Sequence, residues 1–284
     1  MTGTDNPFIV SPDWLQERLG EPGLVVIDGS WYLPQQGRDA RAEHDAGHIP
    51  GAIFFDHDEV VEPGADLPHT LPTPRHFAQY AGSMGIRRDD TIVVYDGPGF
   101  FSAPRVWWMF RVMGAKKVYL LDGGLDGWKA EDLPLTREQT RMAGCLFEVD
   151  FDAGRVASLD DMRRIVETGE AQIADARPAG RFTGADPEPR PGMRSGHMPG
   201  ARNLPFLRLL KDGHLLPADE LKRAFAEAGI DLEKPVVTSC GSGVTAAVIT
   251  LALESVGHTD NRLYDGSWSQ WGGLKDTPVV TGDS

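Results

Sequence analysis

The chain repeats itself, and that repeat limits what it can fold into more than any other feature. GHIPGA at 47–52 returns as GHMPGA at 196–201. LVVIDGSW (24–31) is matched by AQIADARP (171–178), and TIVVYDG (91–97) by PVVTSCG (235–241). VYLLDGGLDGW (118–128) is matched by NRLYDGSWSQW (261–271). Four landmarks in one order at nearly constant offset mark a tandem duplication. A length of 284 residues fits two domains of this kind. The expected division is a first domain over 1–135, a linker over 136–155 and a second domain over 156–284.

Each half alternates short apolar runs with helical stretches. The first half predicts helices over 12–20, 73–85 and 103–114, with strands over 24–28, 91–95 and 117–121. The second half predicts helices over 159–169, 218–229 and 244–257. Strands of four to six apolar residues between helices indicate an α/β fold, a parallel sheet flanked by helices in each half. Trp107, Trp108 and Met109 sit in one of those helices, where packing against the sheet is their expected job.

Composition narrows the function. The net charge of −14 argues against a protein that wraps nucleic acid or coats an anionic membrane. It leaves room for a small anionic ligand in a locally positive pocket. Two cysteines, Cys145 and Cys240, exclude a disulfide scaffold and a cysteine-built zinc site. The first residues, MTGTDNPFIV, lack the basic start and apolar core of a secretory signal, so a cytoplasmic, reducing compartment is expected.

Cys240 follows the apolar run PVVTS and precedes GSG at the head of a helix. A glycine-rich turn there aims backbone N–H groups inward and adds the positive end of a helix dipole, which favours a thiolate. The alternative is a small buried hydrophobe, the usual state of an unpaired cysteine. The first half carries Asp96 at the matching position. Cys145 has no such setting. A phosphatase would need an arginine six residues after its cysteine, and Ala246 stands there. Positive charge for an anion must therefore come from elsewhere. Arg177, Arg181, Arg190 and Arg194 fall in one Gly/Pro-rich stretch of the cysteine-bearing half, and a guanidinium matches a carboxylate bidentately.

These segments resemble the rhodanese superfamily, and within it the 3-mercaptopyruvate sulfurtransferases. The likeness rests on the tandem halves, CGSGVTA at 240–246, the segments 31–56 and 180–206, and DGSWSQWG at 265–272. It implies two rhodanese-like domains, of which only the second is catalytic. It also implies transfer of sulfur from 3-mercaptopyruvate to Cys240, release of pyruvate, and passage of the persulfide sulfur to a thiol such as thioredoxin, or to cyanide. No cofactor or metal is implied. Arg181 and Arg190 would hold the donor, within a loop of Gly241, Gly243, Val244 and Thr245. A serine–histidine–aspartate relay would fall on Ser242, His48 and Asp39. The repeat partner of His48, His197, leaves a shared structural role open for both histidines. Two other readings stand beside this one: a thiosulfate:cyanide sulfurtransferase, which the neutral loop disfavours, and a non-enzymatic sulfur-carrier or binding module.

Overall fold

Runs such as LVVID and TIVVY bury both faces, so they can only form the interior of a sheet covered on two sides. The computed structural model describes residues 5–283 and shows two such sheets. The chain divides into two compact units. Unit 1 comprises Met1–Gly64, Leu71–Asp152 and Asp212–Leu215; unit 2 comprises Ala65–Thr70, Ala153–Lys211 and Leu216–Ser284.

The strands of unit 1 are β1 (Ile9–Val10), β2 (Leu24–Asp28), β3 (Ala52–Phe54), β4 (Thr91–Tyr95) and β5 (Val118–Leu121). They form a parallel sheet in the order β1-β5-β4-β2-β3, with Val26 paired to Val93 at its centre. Unit 2 repeats the plan with β6 (Val156–Ala157), β7 (Gln172–Asp175), β8 (Ala201–Asn203), β9 (Val236–Ser239) and β10 (Asn261–Tyr264). Their order, β6-β10-β9-β7-β8, is that of unit 1 strand for strand.

The helices of unit 1 are α1 (Pro12–Gln16), α2 (Ala40–Ala46), α3 (Pro74–Ser83), α4 (Ala103–Val112) and α5 (Gly124–Ala130). Those of unit 2 are α6 (Leu159–Thr168), α7 (Ala179–Thr183), α8 (Ala218–Glu227), α9 (Ala246–Ser255) and α10 (Ser267–Trp271). α4 packs on β4 and β5, and it is apolar on nearly every side because it is buried on nearly every side. Trp107, Trp108 and Met109 are all buried there, and the Trp107 indole N–H donates to Val118 O at 3.1 Å. The stretch expected as a linker lies largely on unit 1. Phe147 is buried between the rings of Phe77 and Phe110, and Cys145 N–H donates to Gly82 O at 2.9 Å. Apolar Phe147 supplies the burial that its mixed-polarity surroundings concealed. Among the described residues no helix is long and apolar enough to cross a membrane.

Candidate active site

β7 and β9 are neighbours, with Asp175 opposite Ser239 at their C-terminal ends. From there the chain turns one way toward β8 and the other way toward β10, which opens a crevice at the strand ends. Cys240 is the first residue past β9 in that crevice. Its side chain is buried, and the Gly243 N–H donates to its Sγ at 3.1 Å. Gly243 holds φ +82°, a left-handed conformation that turns the backbone back over the sulfur and disfavours any side chain. The head of α10 clamps the loop from outside. Trp268 N–H donates to Cys240 O at 2.9 Å, Ser269 N–H to Gly241 O at 2.9 Å, and Ser267 Oγ accepts from Cys240 N–H at 3.3 Å. Val244 is buried, and Thr245 occupies the N-cap of α9, so the helix begins two residues later than its apolar pattern suggests.

Unit 1 contains the same loop with an acid in place of the thiol. Asp96 is fully buried, and its carboxylate accepts from the N–H groups of Gly99, Phe101, Ser102 and Ala103 at 2.7–2.8 Å. Burial pushes its pKa up against those four donors, and burial prevails. The loop of unit 2 is one residue shorter: Gly243 stands opposite Gly99, and the helix starts Thr245 and Ala246 stand opposite Ser102 and Ala103. This loop type is an anion cradle, filled in unit 1 by the chain's own carboxylate.

The arginines divide by role. Arg181, on α7, reaches the loop: a Cβ on Gly241 would lie 3.2 Å from its Nη2. The Glu188 carboxylate holds it there through both Nε and Nη2. Arg190 Nη1 donates to Ser269 Oγ at 3.1 Å, and that hydroxyl in turn donates to Gly241 O at 2.6 Å. Arg177 is buried, grips Asp175 through Nε and Nη2, and lies over the Trp268 ring at 4.3 Å. Burial works against its charge, but Asp175 and then Glu188 outweigh burial and hold its pKa above the ordinary value. Arg194 is spent on structure, donating to Gly272 O, Trp271 O, Thr277 O and Thr277 Oγ1.

The histidine expected of the relay needs correction. His48 lies in unit 1, is fully buried, and has Nδ1 on His44 O at 2.7 Å and Nε2 on Glu138 O at 3.2 Å. Its backbone exchanges two hydrogen bonds with Thr136, and its ring stacks on His44. His197 does the same in unit 2, with Nδ1 on Phe182 O, two backbone bonds to Val280, and its ring stacked on Phe182. Both histidines pin a Pro-Gly turn. Asp39 caps α2, accepting from Ala42 N–H at 2.9 Å. The histidine beside the catalytic loop is instead His69, whose Nδ1 is hydrogen-bonded to Ser242 Oγ at 2.9 Å with both residues buried. His69 belongs to the strap 65–70 that joins unit 2, and it adopts φ +56°, strained for a non-glycine residue.

The signal for His69 was another repeat. His-x-Leu-Pro occurs at 69–72 and again at 214–217. His214 plays the matching part in unit 1, bonded through Nδ1 to Asp122 Oδ1 at 2.9 Å. Neither copy lies in an apolar run, so periodicity passes over both. Among the described residues no three His, Cys, Asp or Glu side chains gather as metal ligands would.

The rhodanese-like domain model matches residues 11–131 and again 158–274. The 3-mercaptopyruvate sulfurtransferase of Escherichia coli (strain K12) is 42% identical over 273 residues, 96% of this chain and 97% of its own. The Arabidopsis thaliana protein named thiosulfate/3-mercaptopyruvate sulfurtransferase 1, mitochondrial, is 41% identical over 298 residues, 97% of this chain and 79% of its own. The crystal structure of the Escherichia coli 3-mercaptopyruvate sulfotransferase SseA superposes with a TM-score of 0.86 at 40% identity, covering 92% of this chain and 98% of that one. With one cradle closed by Asp96 and its copy built around Cys240, the chain belongs to the rhodanese superfamily as a tandem of two rhodanese-like domains.

Proposed function

We propose that the protein is a sulfurtransferase that moves sulfur from 3-mercaptopyruvate through a Cys240 persulfide to a thiol or cyanide. The observation that carries this reading is a buried thiol held in an anion-cradling turn with Arg181 and Arg190 fixed to the same turn. Guanidinium groups suit the donor carboxylate and keto oxygen. The Cys240 thiolate attacks the donor sulfur, and the carbon–sulfur bond breaks with its electron pair going to carbon. That gives the enolate of pyruvate and leaves Cys240–S–SH. Ser242 and His69, hydrogen-bonded to each other beside the loop, supply the proton that turns the enolate into pyruvate.

The persulfide fits the cradle for a reason visible in unit 1. Its outer sulfur is three bonds from Cα, as are the Asp96 carboxylate oxygens that receive four backbone N–H groups. On this reading the N–H groups of Gly243, Thr245 and Ala246 are the donors for the stored sulfur. Cyanide attacking the outer sulfur gives thiocyanate and regenerates the thiolate. A thiol such as thioredoxin gives a new persulfide.

Cys240→Ser abolishes pyruvate release from 3-mercaptopyruvate, and turnover retained by that variant would falsify the mechanism. Thiosulfate is the second donor to measure, by thiocyanate formation with cyanide. A higher kcat/KM for thiosulfate than for 3-mercaptopyruvate would make the protein a thiosulfate:cyanide sulfurtransferase instead. Activity with neither donor would leave a sulfur-carrier or binding module.

A further inference from the structure

Both copies of the duplicated frame keep a buried carboxylate at one strand end, Asp28 on β2 and Asp175 on β7. They satisfy it differently. In unit 1 three side chains share Asp28: the Ser30 hydroxyl donates to Oδ1 at 2.6 Å, the Tyr95 hydroxyl donates to Oδ2 at 3.1 Å, and His44 Nδ1 lies 2.9 Å from Oδ2. In unit 2 Arg177 stands where Ser30 does, two residues past the acid, and meets both Asp175 oxygens through Nε and Nη2. Ser239 stands where Tyr95 does, paired with the acid across the sheet, and among the described residues its buried hydroxyl has no partner. The chain itself therefore shows that this carboxylate can be satisfied without a guanidinium.

What an arginine adds at this place is reach. Arg177 Nη1 donates to Glu188 Oε1 at 2.7 Å, while Nη2 also donates to Gly196 O at 2.8 Å. Glu188 takes Arg177 on Oε1 and Arg181 on Oε2, so its carboxylate bridges the two guanidiniums. Arg177 and Glu188 are 1% and 3% exposed at the side chain, whereas Arg181 is 21% exposed and sits on the five-residue helix α7. The buried pair thus anchors the one long side chain of the three that reaches Gly241. In unit 1 the matching Gly97 is covered by the Tyr32 hydroxyl, and Arg38 and Glu43 pair there with each other and with Tyr32.

We propose that Arg177 is a positioning residue for the donor site: it holds Glu188 in place, and Glu188 in turn fixes the Arg181 guanidinium against Gly241. A guanidinium left loose must be ordered when the donor binds, and that ordering weakens binding. Arg177 orders it beforehand. This deepens the sulfurtransferase reading and rests on it.

The test is a double-mutant cycle between Arg177 and Arg181. Arg177→Lys keeps a cation on Asp175, but an ammonium lacks the fork that spans Asp175 and Glu188 together. It should raise KM for 3-mercaptopyruvate by about tenfold and change kcat by less than about threefold. In the Arg181→Ala background the same substitution should change KM by less than about twofold, because the side chain it positions is already gone. An Arg177 that only holds the fold would act by one factor in both backgrounds, and that result overturns the proposal, as does an unchanged KM in Arg177→Lys. Should the lysine variant not fold, Arg177→Ser combined with Ser239→Tyr gives Asp175 the partners that Ser30 and Tyr95 give Asp28. That double variant removes the Glu188 contact and takes the same place in the cycle, with the same outcomes. Protection of Cys240 from iodoacetamide by pyruvate reads binding without turnover. The concentration needed should rise about tenfold on replacing Arg177 when Arg181 is present, and by less than about twofold when it is absent. A wild type that pyruvate protects but that releases none from 3-mercaptopyruvate overturns the sulfurtransferase reading, and the protection cycle still decides the role of Arg177. A wild type that pyruvate does not protect overturns both.

Discussion

Asp96 and Cys240 stand at one position of a duplicated loop, and the side chain there decides whether the cradle is closed or reactive. In unit 1 four N–H groups converge on a carboxylate that cannot leave. Asp96→Ala would strand them in a buried site and should cost roughly 3 kcal/mol or more of stability, read from denaturant melts. Ser242, two residues past Cys240, shares one hydrogen bond with His69, and the proposed proton transfer runs through that pair. His69→Ala should lower kcat on 3-mercaptopyruvate by about a hundredfold, Ser242→Ala by a comparable factor, and the double variant by little more than either. Additive losses would show the two side chains working separately. Arg181→Ala and Arg190→Ala should each weaken 3-mercaptopyruvate more than thiosulfate, since the carboxylate loses a bidentate partner. Of these residues, Cys240 and the arginines are legible from sequence because a glycine-flanked thiol and a cluster of guanidiniums are unusual locally. His69 is not, since its meaning depends on a partner far along the chain.

At the scale of elements, the strands follow the apolar runs closely, while helix ends move inward. The helix expected over 12–20 ends at Gln16, and that over 244–257 starts at Ala246. The reason is in both cases a turn that apolar periodicity does not record: the Arg18–Gly20 turns in the first, and the Gly243 conformation in the second. α6 is the best-marked helix. Ser158 Oγ accepts from Asp161 N–H, and the Asp161 carboxylate accepts from the Ser158 N–H and hydroxyl, which completes a capping box. The Ser158 hydroxyl and N–H, then Arg164 and Arg262, lower the Asp161 pKa to about 2. A carboxyl with a depressed folded pKa contributes stability above its unfolded value of 3.8, and that contribution is lost as the pH falls toward about 2. Asp161→Asn should therefore cost about 1 kcal/mol near neutrality, with the gap to wild type closing between pH 4 and pH 2 in thermal melts.

For the whole molecule, neither compact unit is a continuous stretch of chain. Residues 65–70 join the unit built mainly from the second half, and 212–215 join the unit built mainly from the first. The loop that carries Cys240, from the second half of the chain, thus receives a hydrogen-bond partner, His69, from the first half. Replacing 65–70 with a glycine-serine segment of equal length should lower turnover at least as far as His69→Ala while leaving the cooperative melt of the protein in place. An unchanged rate would assign the strap a packing role only.

The sequence by itself determines that this is a duplicated α/β protein with one reactive loop. Apolar periodicity, glycine spacing and repeated motifs are all local or self-similar, and the Cys240 loop, Asp96 in its copy and the arginine-rich stretch can be read along the chain. Tertiary structure alone decides which histidine is hydrogen-bonded to Ser242, that Arg181 and Arg190 reach the loop while Arg194 is spent on structure, and that Glu188 lies between two guanidiniums. Those are distances between side chains on separate elements. They depend on how a strap, a short helix and two strand ends converge in space, and no local pattern encodes that convergence.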